Sequence, residues 1–226
     1  MDEAARLAPE LSGPTWIMAQ RQTAGRARRG RHWIDPAGNF AATLVMRPAE
    51  APMTRALRSF VAALALYDAL TKVIGDSVPL SLKWPNDVLL NGGKLAGILL
   101  ESGARDYLAV GVGVNLLAAP AAGTVEAGSH RPVSLHDESG TSIAPLDFLD
   151  LLAPAFARWE RQLTEQGFAP LRKAWLARAA HLGDQITVRA GNATWHGRLE
   201  TLDEHGALVL HTPDGRRTIT AGEVFF

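Results

Sequence analysis

Leu80-Ser81-Leu82-Lys83-Trp84-Pro85-Asn86-Asp87-Val88-Leu89-Leu90-Asn91-Gly92-Gly93-Lys94-Leu95-Ala96-Gly97-Ile98-Leu99-Leu100-Glu101 is the stretch whose reading decides the fold. Two short apolar runs flank the Pro85-Asn86 turn. Asn91-Gly92-Gly93 then gives a strong hairpin signal, because a tight two-residue turn needs positive φ and glycine supplies it without steric cost. A third apolar run, Lys94 to Glu101, follows the hairpin. Three consecutive strands with tight turns predict a sheet built locally.

The pattern extends in both directions. Pro52 introduces a helix predicted over Met53 to Ile74, with Leu57, Val61, Leu64 and Ala65 at helical spacing and Gly75 as its stop. Upstream, Asn39 to Met46 and Thr15 to Ala19 read as strands, and the first residues as a short helix ending near Pro9. Downstream come a further strand over Tyr107 to Leu116, a small-residue loop over Ala118 to Ser129, and helices over Leu146 to Gln166 and Phe168 to Arg178. From Gly183 the character changes to short β-rich runs at Gln185 to Arg189, Thr194 to Leu199, Leu208 to His211 and Arg216 to Thr220, punctuated by tight turns. The predicted class is therefore α+β: a mixed β-sheet packed with helices over residues 1–182, and a small C-terminal β-barrel over residues 183–226.

Composition narrows the role. The 226 residues are 47% hydrophobic and 20% charged, enough for a real core. The 23 basic and 23 acidic side chains cancel, whereas a protein held to nucleic acid through phosphates usually shows a net basic footprint. With no cysteine, disulfides and thiolate metal sites are excluded, and a reducing compartment such as the cytoplasm is expected. No apolar stretch approaches the ~20 residues that span a bilayer, so no membrane association is expected.

Three segments carry chemistry. In Gly25-Arg26-Ala27-Arg28-Arg29-Gly30-Arg31, four arginines crowd seven positions and repel one another, so this loop is expected to be mobile when empty and to order around a polyanion. On charge alone a solvated basic loop, or a patch for nucleic acid, is the stronger reading; its place between two apolar strands, closed by Trp33, favours a ligand clamp. Lys83-Trp84-Pro85-Asn86-Asp87 serves equally as scaffold or site on spacing alone. Lys94, opening an apolar strand, would be costly to bury unpaired, and Asp87 is a candidate partner for it. Val110-Gly111-Val112-Gly113-Val114-Asn115 lacks the third glycine of a dinucleotide fingerprint; it reads well as a buried strand with glycines for close packing, and a strand without side chains at alternate positions also lets a flat ligand lie against its backbone. The seven histidines show no metal-ligand spacing, and no nucleophile elbow or Walker-type loop is present.

Taken in this order, the segments resemble the biotin protein ligases. The family's arginine-glycine loop is similar to Gly25 to Arg31 followed by Trp33, its lysine-tryptophan-proline-asparagine-aspartate motif to Lys83 to Asp87, its lysine-x-x-glycine-isoleucine-leucine segment to Lys94 to Leu99, and its glycine-rich strand ending in asparagine to Gly111 to Asn115. The likeness covers nearly the whole chain and implies a class II synthetase-like catalytic domain. It also implies a two-step reaction, in which ATP activates biotin as biotinyl-adenylate and a lysine of a biotin carboxyl carrier domain then takes the biotin.

The resemblance further implies roles. Arg26, Arg28, Lys94 and Asp87 are the implied catalytic residues. Gln22, Gly25, Arg26, Arg28, Lys94, Gly97 and Gly113 are expected to bind biotin; Arg28, Arg31, Trp33, Lys83, Asn86 and Asn115 are expected to bind ATP. Mg²⁺ would accompany the nucleotide, with Asp87 as its protein ligand. A homodimer formed through an open sheet edge is a reasonable expectation. A lipoate ligase and a binding protein for biotin or its adenylate are the rival readings. Three departures stand out. Ala27 occupies a position where the family has glycine, so a kinetic effect is expected. Met1-Asp2-Glu3-Ala4 is similar to the residues just after a serine-threonine strand that contacts biotin. The chain also stops at Phe226, where family barrels often continue. With no winged-helix segment ahead of the catalytic region, the sequence is similar to the monofunctional members, and operator binding is not expected.

Overall fold

The structure is a computed structural model, and it describes residues 1–75, 78–103, 106–121 and 130–226. A six-stranded sheet holds the first 114 residues together. Its strands are β1 (Thr15–Met18), β2 (Phe40–Met46), β3 (Leu80–Lys83), β4 (Asp87–Leu90), β5 (Gly93–Gly103) and β6 (Tyr107–Val114), in the spatial order β1-β2-β6-β5-β4-β3. Each of the five pairings is antiparallel. The parallel component consists of single-residue bridges, Leu82 to Ala179 and Lys94 to Pro132. The β4–β5 hairpin turns through Asn91 and Gly92 at φ 49° and 72°, the left-handed geometry that the sequence Asn-Gly favours.

The two faces of this sheet differ because its strands alternate. Ala42, Leu44 and Met46 of β2, Val110, Val112 and Val114 of β6, and Ala96 and Ile98 of β5 point into the main core. There they meet α3 (Arg58–Ile74) and two further helices, Pro145–Gln166 and Phe168–Leu176. The predicted helix over Met53 to Ile74 is two helices, α2 (Pro52–Ala56) and α3, separated at Leu57. The Leu57 amide bonds Thr54, three residues back, which tightens the turn there. The apolar spacing runs through the break unaltered, so the pattern gives no sign of it. On the opposite face α1 (Asp2–Leu7) covers one end through Ala4 and Ala8 against Val45, Tyr107 and Ala109. Among the described residues, the rest of that face opens onto a cavity.

The second sheet comprises β7 (Gln185–Ala190), β8 (Ala193–Leu202), β9 (Leu208–Thr212), β10 (Gly215–Ile219) and β11 (Glu223–Phe225), in the order β10-β9-β8-β7-β11. It is antiparallel throughout but open, which corrects the expected barrel. Closure would need β11 to pair with β10. Instead β11 is three residues long and abuts the arginine loop, where Glu223 is ion-paired with Arg29 and Arg31. The small sheet is pinned to the large one by the indole of Trp84, which is buried and donates to the Gly206 carbonyl at 3.0 Å. Of the predicted small-residue loop over Ala118 to Ser129, residues 122–129 lie outside the described residues. No helix among the described residues is long and apolar enough to cross a membrane.

Candidate functional site

The open face of the large sheet is the floor of a cavity of about 580 Å³. Register explains why a cavity is there. Ala41 of β2, Gly113 of β6, Gly97 of β5 and Asp87 of β4 lie side by side across four strands, and Thr43, Gly111 and Leu99 form the next row. Small side chains in adjacent strands leave room above the sheet, and the row ends on a carboxylate. The arginine loop forms one wall, and Arg189, Glu223 and Phe225 of the small sheet form another.

Twelve of the thirteen residues singled out from the sequence line this cavity: Gln22, Arg26, Arg28, Arg31, Trp33, Lys83, Asn86, Asp87, Lys94, Gly97, Gly113 and Asn115. Gly25, the thirteenth, stands behind the wall and accepts the Trp33 amide at 3.0 Å. A Cβ on Gly25 would lie 2.4 Å from the Trp33 carbonyl oxygen, so this close approach requires glycine. The Trp33 indole in turn lies on the glycine floor. A Cβ on Gly113 would come within 2.7 Å of it, and one on Gly97 within 3.1 Å.

Electrostatics centre on Asp87, 9% exposed. Lys94 Nζ stands 2.7 Å from one of its oxygens and Lys83 Nζ 3.9 Å from the other. Burial pushes the Asp87 carboxyl upward, but the Lys94 and Lys83 charges outweigh it and hold the group below its ordinary value. Lys83 goes the other way. Burial lowers its ammonium to about 8, although Asp87 works against the shift. Burial likewise lowers the Arg28 guanidinium, which donates to the Asn86 side-chain oxygen at 3.3 Å. The Asn86 amide donates to the Ile98 carbonyl at 2.7 Å, fixing that acceptor on β5.

The remaining residues divide by what their polar atoms already do. Arg26 bonds Asp2 at 2.5 Å and Glu101 at 3.1 Å on the cavity rim. Arg31 is tied to Glu223 and to the Arg28 carbonyl. Asn115 is 2% exposed and donates to the Val133 carbonyl at 3.0 Å, so its side chain pins the loop that follows β6. Ala27 sits at φ −119° and ψ 179°, an extended backbone that any residue adopts, so nothing in its geometry calls for glycine. Among the described residues no group of three or more histidine, cysteine, aspartate or glutamate side chains is placed to hold a metal, and Asp87 faces two ammonium groups.

Sequence reasoning missed His130, Arg189, Glu223 and Phe225, all of which line the cavity. The His130 ring is lowered to about 4, by burial first and Lys83 next, and packs 4.9 Å from the Phe226 ring. His130 lies in the segment after β6 and has no metal-ligand spacing to mark it, whereas Arg189, Glu223 and Phe225 come from the distant small sheet, whose position over the cavity leaves no local pattern.

Comparison with known proteins agrees with this geometry. Residues 3–115 match the family model described as the biotin/lipoate A/B protein ligase family, and residues 181–226 match the biotin protein ligase C terminal domain. A biotin–[acetyl-CoA-carboxylase] ligase from Paracoccus denitrificans is 58% identical over 99% of this chain and 95% of its own length. One from Mycobacterium tuberculosis is 32% identical over 92% of this chain and 77% of its own. The solved structure of the Aquifex aeolicus biotin protein ligase in complex with biotin and ATP superposes with a TM-score of 0.84 at 26% identity, covering 98% of this chain and 92% of that one. With both family models matched and a relative 58% identical over 99% of it, the chain belongs to the biotin protein ligase family.

Proposed function

We propose that this chain joins biotin to ATP to form biotinyl-5′-AMP and then transfers the biotin to a lysine of a biotin carboxyl carrier domain. The observation that carries this reading is the glycine floor with Lys94, Lys83 and Arg28 gathered at its Asp87 end. Such a site receives a flat apolar ring system on the backbone and brings two anionic groups together among fixed cations. In the first step a biotin carboxylate oxygen forms a bond to the α-phosphorus as the bond to pyrophosphate breaks. Lys94 and Arg28 are placed to offset the negative charge that builds on the carboxylate and phosphate oxygens. In the second step the carrier amine attacks the acyl carbon and AMP leaves with the electron pair.

Gln22, Gly25, Arg26, Gly97 and Gly113 are assigned to the biotin side, and Arg31, Trp33, Lys83, Asn86 and Asn115 to the nucleotide side. Mg²⁺ suits phosphate and water oxygens and would arrive on the triphosphate; Asp87 would serve as its protein ligand only by giving up Lys94 and Lys83. Support for the carrier as partner comes from the names of the relatives, which specify acetyl-CoA carboxylase. A homodimer through the side of β1 away from β2, where no strand pairs among the described residues, and a cytoplasmic location without nucleic-acid binding complete the reading.

The test is exchange of labelled pyrophosphate into ATP. Exchange that requires biotin, is not supported by lipoate, and falls roughly a hundred-fold in Lys94→Ala is expected. Exchange that is independent of biotin, or equal with lipoate, would remove this function.

A further inference from the structure

Arg29 has no role in the reaction as read above, yet its backbone is held where a non-glycine residue rarely sits. It holds a left-handed backbone, φ 59° and ψ 29°, inside the short turn Arg28–Gly30, and Gly30 follows at φ 72°. A residue with a Cβ avoids that region unless its surroundings hold it there. What holds it is on the other sheet. Arg29 Nη1 lies 3.2 Å from Glu223 Oε2, the other Glu223 oxygen pairs with Arg31, and the neighbouring Gly222 carbonyl accepts from Arg28 at 3.4 Å. The Glu223 side chain is 24% exposed and that of Arg29 47%, so the shielding of this pair lies with the carboxylate, which serves two guanidinium groups. At the other end of the loop Arg26 meets Asp2 and Glu101, whose side chains are 67% and 40% exposed, and pairs that open to water hold weakly.

We propose that Arg29 and Glu223 form a latch fastening the arginine loop to the small sheet across the cavity mouth, and that its opening sets the rate at which a bound adenylate escapes. Glu223 is a positioning residue here: it gives the crowded arginines a protein carboxylate before any ligand arrives. The loop expected to await a polyanion therefore has a fixed anion already in place. Placing the latch on Arg29 leaves Arg28 and Lys94 to the reacting atoms. The second half of the proposal rests on the adenylate-forming function above; the first half does not.

Two readouts separate them. Trypsin cuts after arginine, so brief digestion of the ligand-free full chain, with fragments mapped by mass, reports loop opening directly. Glu223→Gln and Arg29→Gln are each expected to raise cleavage after Arg26, Arg28 and Arg31 about five-fold, while cleavage after Arg216 and Arg217 in the small sheet stays unchanged. The double variant should be cut no faster than Glu223→Gln alone, because the contact that Arg29→Gln removes is one that Glu223→Gln has already removed together with the Arg31 pair. Glu223→Asp should restore part of the protection. In a chase of preformed adenylate with excess unlabelled biotin, Glu223→Gln should lose adenylate about five-fold faster while forming as much of it at the start. Unchanged nicking in Glu223→Gln overturns the latch, as does multiplication of the two effects in the double variant. Faster nicking with unchanged escape overturns its gating role. A wild-type chain that forms no adenylate would instead refute the proposed function, with the nicking result still standing for the latch.

Discussion

Adding a single methyl group at Gly113 probes the cavity floor where the structure is least forgiving. A Cβ there would lie 2.7, 2.8 and 2.9 Å from Cε2, Cζ2 and Nε1 of Trp33, and carbon atoms pack comfortably at about 3.5 Å or more. The indole must therefore retreat by roughly 0.8 Å, the difference between that spacing and the 2.7 Å approach. It cannot slide back freely, because the Trp33 amide bonds Gly25 and Lys94 Nζ stands 5.9 Å from its ring centroid. The free direction is upward into the cavity, at the expense of ligand space. Overpacking of this kind costs about 1–3 kcal/mol. Since the strain is relieved into empty volume, Gly113→Ala should unfold close to the wild-type temperature and show the loss in ligand affinity. Biotin binding measured by titration calorimetry is expected to weaken about ten- to a hundred-fold. Gly111→Ala is the control. Its Cβ would meet the flexible Met1 Sδ at 2.8 Å, a contact that side-chain rotation removes, so affinity should change less than three-fold. Wild-type affinity in Gly113→Ala would refute the assignment of Trp33 and the glycine row as the ligand slot.

Lys83, with its ammonium lowered to about 8, gives a pH prediction. It is charged below that value and neutral above it, so kcat/KM for ATP should fall about ten-fold per pH unit above about 8, and Lys83→Arg should remove the break. A profile flat from pH 7 to 10 would show that this charge does not serve the nucleotide. Arg58, 1% exposed and paired with Glu50 at 2.8 Å and Glu160 at 2.7 Å, tests the core under α3. Arg58→Ala strands two carboxylates and should lower stability by about 3 kcal/mol in urea unfolding; a change under ~1 kcal/mol would show that the carboxylates hydrate freely.

Much of the large sheet was legible because its strands are local. Asn91-Gly92 fixes a hairpin by backbone chemistry, and alternating apolar residues fix the faces. The same alternation puts Gly111 and Gly113 on one face of their strand, where either close packing or a flat ligand can use the bare backbone, and the register of the neighbouring strands decides for a floor. Long-range consequences were harder to read. The break at Leu57 leaves the apolar period intact. The open second sheet depends on Glu223 meeting arginines almost two hundred positions away, and a strand pattern carries no sign of which edge another segment will take. Trp84 belongs to a motif read as part of the site, yet its indole secures the small sheet. The motif marked the right neighbourhood, but which of its members face ligand is decided by packing. Asn115 shows the same limit, with its amide spent on the Val133 carbonyl.

The most direct measurement is the mass of an apo biotin carboxyl carrier domain after incubation with this chain, MgATP and biotin. The account predicts that one biotin is added, at a lysine located by peptide mapping, and that Lys94→Ala prevents it. An acceptor left unmodified by a wild-type chain that is folded and binds biotin would contradict the account, as would modification that proceeds equally well without Lys94.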